Sequence, residues 1–359
     1  TSRTHQQLKQ LINEYKRLPY NPSMTILGGR KKLCLNKTAL KSDDISTTCQ
    51  KLMKENKCIF KMESTIPKEF RPGGVKEKFD IEDMLEYGKK HFRCPYHMSL
   101  VILSKADIVF CPYNYIIDPV IKTILELSIS RSILIVDEAH NIENVCRESG
   151  TFHVATVDFM VALKSLSEMR NQIESEDPDI PSLEAVSELI QSIHNWFEEN
   201  INLLKFIKKK ELIKTVSSVF QEWNLNAKNW PFYKFAFDKI LTKKMVLSNN
   251  NNNNNNEHNE EEEKHDSYHP NLSLVERFSI FITLAFQNNM DNFNKFQIVL
   301  QISQPNNDQK EDNMLVSCLD PSVIFKCISN EAHSIILASG TLSPLLTFSS
   351  ELGAKFPIQ

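Results

Sequence analysis

Residues 133–140 read Ile133-Leu134-Ile135-Val136-Asp137-Glu138-Ala139-His140, and this octet sets how the rest of the chain is interpreted. A short run that is apolar at every position is expected to be a strand buried in a parallel sheet. Two adjacent acids end it. In open α/β sheets nucleotides bind in the crevice at the carboxyl ends of the strands. Asp137 is therefore a candidate to hold Mg²⁺ through water, and Glu138 a candidate to polarise the water that attacks a γ-phosphate. The competing reading is a strand followed by an acidic helix N-terminus, which the helix dipole favours without any ligand. Ala139 and His140 shift the reading towards a nucleotide site.

The 359 residues suffice for two or three domains, each with its own core. Hydrophobic content of 41% and charged content of 24% are those of an ordinary globular chain. A formal charge of −3 gives no overall attraction to nucleic acid, so such binding has to come from a local patch. One exists: residues 28–61 hold nine lysines and arginines against three acids, a local +6. No apolar run reaches the length of a membrane span and no signal peptide opens the chain, so an intracellular setting is expected. There, eight cysteines point to free thiols, catalysis or metal rather than disulfides.

Working outward from the octet, Leu8, Leu11, Ile12 and Tyr15 predict a helix over 4–16, with Thr4 as its N-cap and Pro19 and Pro22 closing it. Met24–Leu27 and Ile108–Cys111 read as short strands. From Arg30 to about Arg93 the sequence is polar, basic and weakly periodic, a stretch expected to lack a core of its own and to need a staple. Residues 157–247 carry a helical pattern throughout, without strand signals, and predict an all-helical insertion. The run Asn249–Asn256 and the acids of Glu257–Glu263 predict a disordered loop tip inside it. Ser334–Ala338 is a last buried strand, feeding Ser339-Gly340-Thr341.

Cys34, Cys49, Cys58 and Cys94 fall on or beside the weakly periodic basic stretch, separated by 14, 8 and 35 residues. No Cys-x-x-Cys pair occurs, so the commonest zinc-ribbon spacing is missing and simple burial of free cysteines is a live alternative. Four thiolates on a stretch without a core are nevertheless what an iron–sulfur cluster can staple, and Arg30, Lys31 and Lys32 would offset its charge. A zinc module using the same four thiols is the other metal reading. Cys111, Cys146, Cys318 and Cys327 read as core.

Ser2-Arg3-Thr4-His5, four spaced cysteines ending in Cys94-Pro95-Tyr96, the DEAH box of residues 137–140, a helical insertion and Ser339-Gly340-Thr341 occur in that order. In that order they resemble the iron–sulfur superfamily-two helicases of the XPD family, from end to end of the chain but weakly within the insertion. The resemblance implies an α/β fold, a RecA-like parallel-sheet motor domain interrupted by an iron–sulfur cluster domain and an all-helical arch. It implies motor segments at 1–29, 96–147 and 312–359, a cluster domain at 30–95, and an arch at 148–311 with a disordered loop at 248–268.

Residue by residue, the resemblance gives Ser2, Arg3, Thr4 and His5 to the motif that holds the tracked strand by its backbone. Asp137 and Glu138 become the Mg²⁺ and water-activating acids, and His140 the link from hydrolysis to strand grip. Ser339, Gly340 and Thr341 couple ATP state to DNA. Cys34, Cys49, Cys58 and Cys94 ligate a 4Fe-4S cluster, and Arg30, Tyr113 and Tyr115 are candidate contacts near strand separation, where aromatic stacking on bases is useful. ATP with Mg²⁺, single-stranded and forked DNA, DNA-repair proteins, 5′ to 3′ movement and a nuclear location follow as implications, with no membrane partner. Among the chain's eight glycines none forms the G-x-x-x-x-G-K-[ST] phosphate loop, which in the family precedes residue 1. The polypeptide is therefore expected to be a fragment, inactive by itself. A non-catalytic DNA-binding module derived from such a helicase is the rival reading.

Overall fold

Among the described residues eight strands are formed: β1 (Met24–Ile26), β2 (Ile108–Phe110), β3 (Ile133–Asp137), β4 (Phe152–Ala155), β5 (Glu211–Thr215), β6 (Phe296–Gln301), β7 (Asn313–Cys318) and β8 (Ser334–Ala338). The computed structural model describes residues 1–42, 44–125, 127–174, 176–253, 271–287, 290–303, 311–342 and 345–357. It divides into two compact units, residues 1–142 with 328–348, and residues 143–327 with 349–359.

In the first unit β1 pairs in parallel with β2, and β3 in parallel with β8, Asp137 standing opposite Ala338. Ser2 joins the two pairs. Its N–H donates to the Cys111 carbonyl at 3.3 Å and its carbonyl accepts from Tyr113, while Asp137 donates to the Thr1 carbonyl at 2.9 Å. The predicted helix appears as His5–Arg17, and Thr4 caps it by a reciprocal box with Gln7. Leu8, Ile12 and Tyr15 are its buried face.

Two expectations need correction here. The octet is a strand, but β3 alternates: Leu134 and Val136 are buried whereas Ile133 and Ile135 are more than half exposed. Continuous apolar sequence therefore does not mean both faces are covered in this unit. The basic stretch also has more core than its composition suggests. Phe70, Phe79 and Met84 are buried with Ile12, Tyr15, Met24, Ile26, Met98 and Ile102, and Phe70 meets Phe79 edge-on at 4.8 Å and Tyr87 at 5.1 Å. Apolar side chains this widely spaced in sequence show no helical or strand period, because turns between them, not a regular element, bring them together. Lys16 bonds to Asp80 at 2.9 Å and Asp83 at 3.3 Å, pinning helix Ile81–His91 to helix His5–Arg17. By contrast helix Ile45–Lys54 has no buried residue.

The second unit is not all-helical. It contains an antiparallel sheet in the order β4-β7-β6-β5 beside the helices Thr156–Gln172, Ile180–Phe206, Val216–Glu222 and Ser273–Phe286. β5 was hidden from sequence reading because five residues, Glu-Leu-Ile-Lys-Thr, directly follow a lysine run and owe their conformation to pairing with β6. The core is aromatic, Phe220 contacting Trp223, Phe281, Phe286 and Phe293. A further helix runs Trp230–Asn253, so residues 249–253 of the asparagine run are helical rather than loop; the rest of the predicted loop tip lies outside the described residues. Among the described residues no helix is long and apolar enough to cross a membrane.

Candidate functional site

Asp137 ends β3, and the chain then turns sharply, because Glu138 takes a left-handed conformation at φ 54° before the single turn Ala139–Asn141. For an L-residue this costs about 1 kcal/mol. Across from the Glu138 carboxylate, the end of β8 delivers Ser339, whose hydroxyl lies 3.3 Å from Glu138 Oε2 and 2.8 Å from His140 Nδ1. His140 Nδ1 is also 3.3 Å from Glu138 Oε2. On the far side of the ring, Asn141 Nδ2 lies 2.7 Å from His140 Nε2, and Arg3 donates to Asn141 Oδ1 at 2.8 Å. Arg3, Glu138, His140, Asn141 and Ser339 thus form one unbroken polar chain. Sequence reading named four of these but not Asn141, whose only signal was its place directly after His140.

The other named residues divide by exposure. Ser2 is fully buried, with its hydroxyl 3.3 Å from Asp137 Oδ2 and 3.2 Å from Gln7 Oε1. Tyr113 is buried too, and its hydroxyl donates to the Asp137 carbonyl. Tyr115 is 7% exposed. Burial, followed by the nearby Asp137 and Glu138 charges for Tyr113, pushes both phenols above their ordinary range. The Tyr113 ring is enclosed in the core, where apolar surface is worth more than in water, whereas Tyr115, mostly buried, lines the groove with Arg3 and His5.

Arg3, Thr4, His5 and Tyr115 line a groove of about 500 Å³ together with Gln6, Gly29, Lys32, Pro112 and Asn114, and it holds no carboxylate. Burial, and then Lys32, lowers the His5 imidazole below its usual value, and its buried Nδ1 has no partner. Gly340 and Thr341 are exposed after Ser339, and nothing stands within 4 Å of a side chain built on Gly340.

The four cysteines come from four places. Cys34 follows helix Arg30–Leu33, Cys49 sits on helix Ile45–Lys54, Cys58 lies just beyond it, and Cys94 caps helix Pro95–Leu103. Lys61 pairs with Arg93 and accepts from the Cys94 N–H at 2.9 Å, which brings the distant Cys94 back to the others. Burial raises the Cys34 thiol, and the charges of Cys49 and Cys58 raise it further, while the Asn36 backbone N–H and Arg30 favour its thiolate. Cys94 is raised by burial and by Cys49 and Cys34, and the His97 and Tyr96 backbone N–H groups oppose this. The side chain of Asn36 donates to Cys58 Sγ at 3.5 Å. Arg30 stacks its guanidinium 4.2 Å over the Tyr96 ring. The donor set therefore fits a thiolate-ligated group: soft sulfurs, N–H donors aimed at them, and a cation alongside. Among the described residues no three His, Cys, Asp or Glu side chains are set to hold a single metal ion.

The parallel pair β3–β8 thus ends on an acid pair, with a serine, a histidine and an arginine linked beside it. Residues 1–159 match the DEAD_2 family model. The Fanconi anemia group J protein homolog of Gallus gallus is 28% identical over 403 residues, covering 100% of this chain and 31% of the relative. The regulator of telomere elongation helicase 1 homolog of Arabidopsis thaliana is 29% identical over 372 residues, covering 100% of the chain and 35% of the relative. A solved XPD helicase aligns over 99% of the chain and 52% of its own, with TM-score 0.48 and 14% identity. The chain is thus similar to the DEAD_2 model over residues 1–159 and, along its whole length, to the group J and telomere elongation helicase homologues. It spans about a third of the length of these two curated relatives.

Proposed function

We propose that the chain is the central part of an ATP-dependent DNA helicase that moves 5′ to 3′ and serves DNA repair in the nucleus, at crosslinks and replication forks. The observation that carries this is the Asp137–Glu138 pair at the end of a parallel strand, with Ser339 and His140 both on Glu138 Oε2. Asp137 would hold Mg²⁺ with Ser2 behind it, and Glu138 would take a hydrogen from the attacking water. Arg3, His5 and Lys32 supply positive or polar donors to a groove of a size for a phosphodiester backbone, Arg3 and His5 flanking the Thr4 cap of helix His5–Arg17 and Lys32 standing on helix Arg30–Leu33. Motor, cluster and arch segments are assigned as the resemblance implies.

Cys34, Cys49, Cys58 and Cys94 would hold the 4Fe-4S cluster, whose chemistry here is that of a structural cross-link. The chain's residues contribute thiolates, N–H donors and the Arg30 charge. Iron and sulfide analysis separates this from zinc. The assigned role is tested with the full-length protein. ATP hydrolysis stimulated by single-stranded DNA, and unwinding that needs a 5′ tail, are expected. Glu138→Gln should lower kcat by about 10²–10⁴-fold with DNA binding retained. Full hydrolysis in that variant would remove Glu138 from the reaction, and DNA binding without any hydrolysis in the unaltered protein would favour a non-catalytic module.

A further inference from the structure

We propose that Asn141 is a positioning residue: held by Arg3, it fixes the tautomer of His140, keeps Ser339 turned onto Glu138, and lets go when a phosphodiester captures Arg3. The inference deepens the proposed function and rests on that reading.

The direction of each hydrogen bond follows from what its partners can donate. Arginine has donors only, so the atom of Asn141 that faces Arg3 at 2.8 Å is the amide oxygen. The amide nitrogen then faces His140 Nε2 at 2.7 Å and donates to it. It also lies 3.4 Å from the Glu138 backbone carbonyl, which suits a donor. His140 Nε2 is therefore an acceptor, and the ring proton of the neutral imidazole is on Nδ1. That N–H points at Ser339 Oγ at 2.8 Å, leaving the serine's own hydrogen for Glu138 Oε2 at 3.3 Å. With Arg3 docked, the Ser339 hydrogen sits on one lone pair of Oε2 and makes that oxygen a weaker base towards water.

Arg3 is exposed and its partner in this chain of bonds is a neutral amide, yet it also lines the groove shared with His5 and Lys32. A phosphodiester offers a charged acceptor that the guanidinium can meet with two parallel N–H bonds, where the Asn141 amide offers one neutral oxygen. Once Arg3 turns to it, the Asn141 amide is free to rotate and present its oxygen to Nε2. The ring proton leaves Nδ1 and one returns at Nε2 through solvent, so no charge is gained. Nδ1 then accepts the Ser339 hydrogen, and Glu138 Oε2 opens to the attacking water. Strand binding would thereby switch on hydrolysis through one side-chain rotation.

The test uses full-length protein labelled with ¹⁵N-histidine, the His140 signal being assigned by its loss in His140→Gln. Without DNA, Nε2 should show the unprotonated shift, and an oligo-dT strand should convert it to the protonated one. Asn141→Asp, whose carboxylate only accepts, should show protonated Nε2 without DNA. Asn141→Ala and Asn141→Asp should raise DNA-free hydrolysis about five-fold or more and lower its stimulation by DNA correspondingly. Protonated Nε2 in the DNA-free unaltered protein, or an unchanged His140 signal when DNA is bound, would overturn the relay. Those two readouts do not depend on turnover. An unaltered protein that hydrolyses no ATP would instead count against the motor reading, and the His140 spectrum would still decide the relay.

Discussion

Tyr113 shows how little a residue's type says about its use. As an aromatic beside a candidate DNA path it reads as a stacking platform, but its ring is 2% exposed and its hydroxyl is bound to the Asp137 carbonyl. Its work is to hold the end of β3 in place. Tyr113→Phe removes one buried hydrogen bond, about 1 kcal/mol, and is expected to lower Tm by roughly 2–4 °C. Affinity for single-stranded DNA should stay within about twofold, since only a base-stacking ring is worth more. Titration of a fluorescent oligonucleotide checks this, and a loss of tenfold or more would restore the platform. At this scale the acids, His140, Ser339 and Arg3 were legible, because their types and order carry chemistry. Asn141 was not, since an asparagine signals nothing until a donor and a ring stand on either side of it.

Among the elements, the basic stretch separates into two halves with different supports. Phe70, Phe79, Met84 and Tyr87 anchor its second half in the core of the first unit, and the ion pairs of Lys16 and Lys76 with Asp83 reinforce it. The first half has helices Arg30–Leu33, Lys37–Leu40 and Ile45–Lys54, and only Leu33 and Ala39 are buried on them. If the proposed cluster forms, a cross-link by its four thiolates would matter where residues 34–62 run, not across the whole stretch. Cys34→Ser and Cys94→Ser are each expected to lose iron and acid-labile sulfide, and limited proteolysis should then cut within 34–62 while 66–103 stays protected. Full retention of iron in either variant would take that cysteine out of the ligand set. Uniform cleavage through 30–103 would show that the aromatic anchor does not hold without the cluster. Weak periodicity suggests a stretch without a core, and for its second half that is wrong: aromatics at irregular spacing look like loop until folding packs them edge to edge.

For the whole molecule the charge of −3 makes attraction to DNA a local matter. The groove of Arg3, His5 and Lys32 lies beside a stretch carrying +6, so its field is positive although the chain's is not. Binding of full-length protein to single-stranded DNA should weaken with salt, and Lys32→Glu should reduce the slope of log K against log salt by about 0.7 or more. An unchanged slope would place the phosphate contacts elsewhere. The parallel-strand reading of the octet, the capped helix after Thr4 and the order of chemical motifs depended on sequence alone, because apolar runs, caps and acid pairs act over a few residues. Which face of β3 is covered, that the insertion contains a sheet, that Ser2 and Tyr113 face inward, and that Arg3 reaches Glu138 through three side chains were decided by tertiary structure. Those outcomes depend on partners distant in sequence, as Arg3 on Asn141, β3 on β8 and β4 on β7, and no local pattern encodes a contact made at that distance.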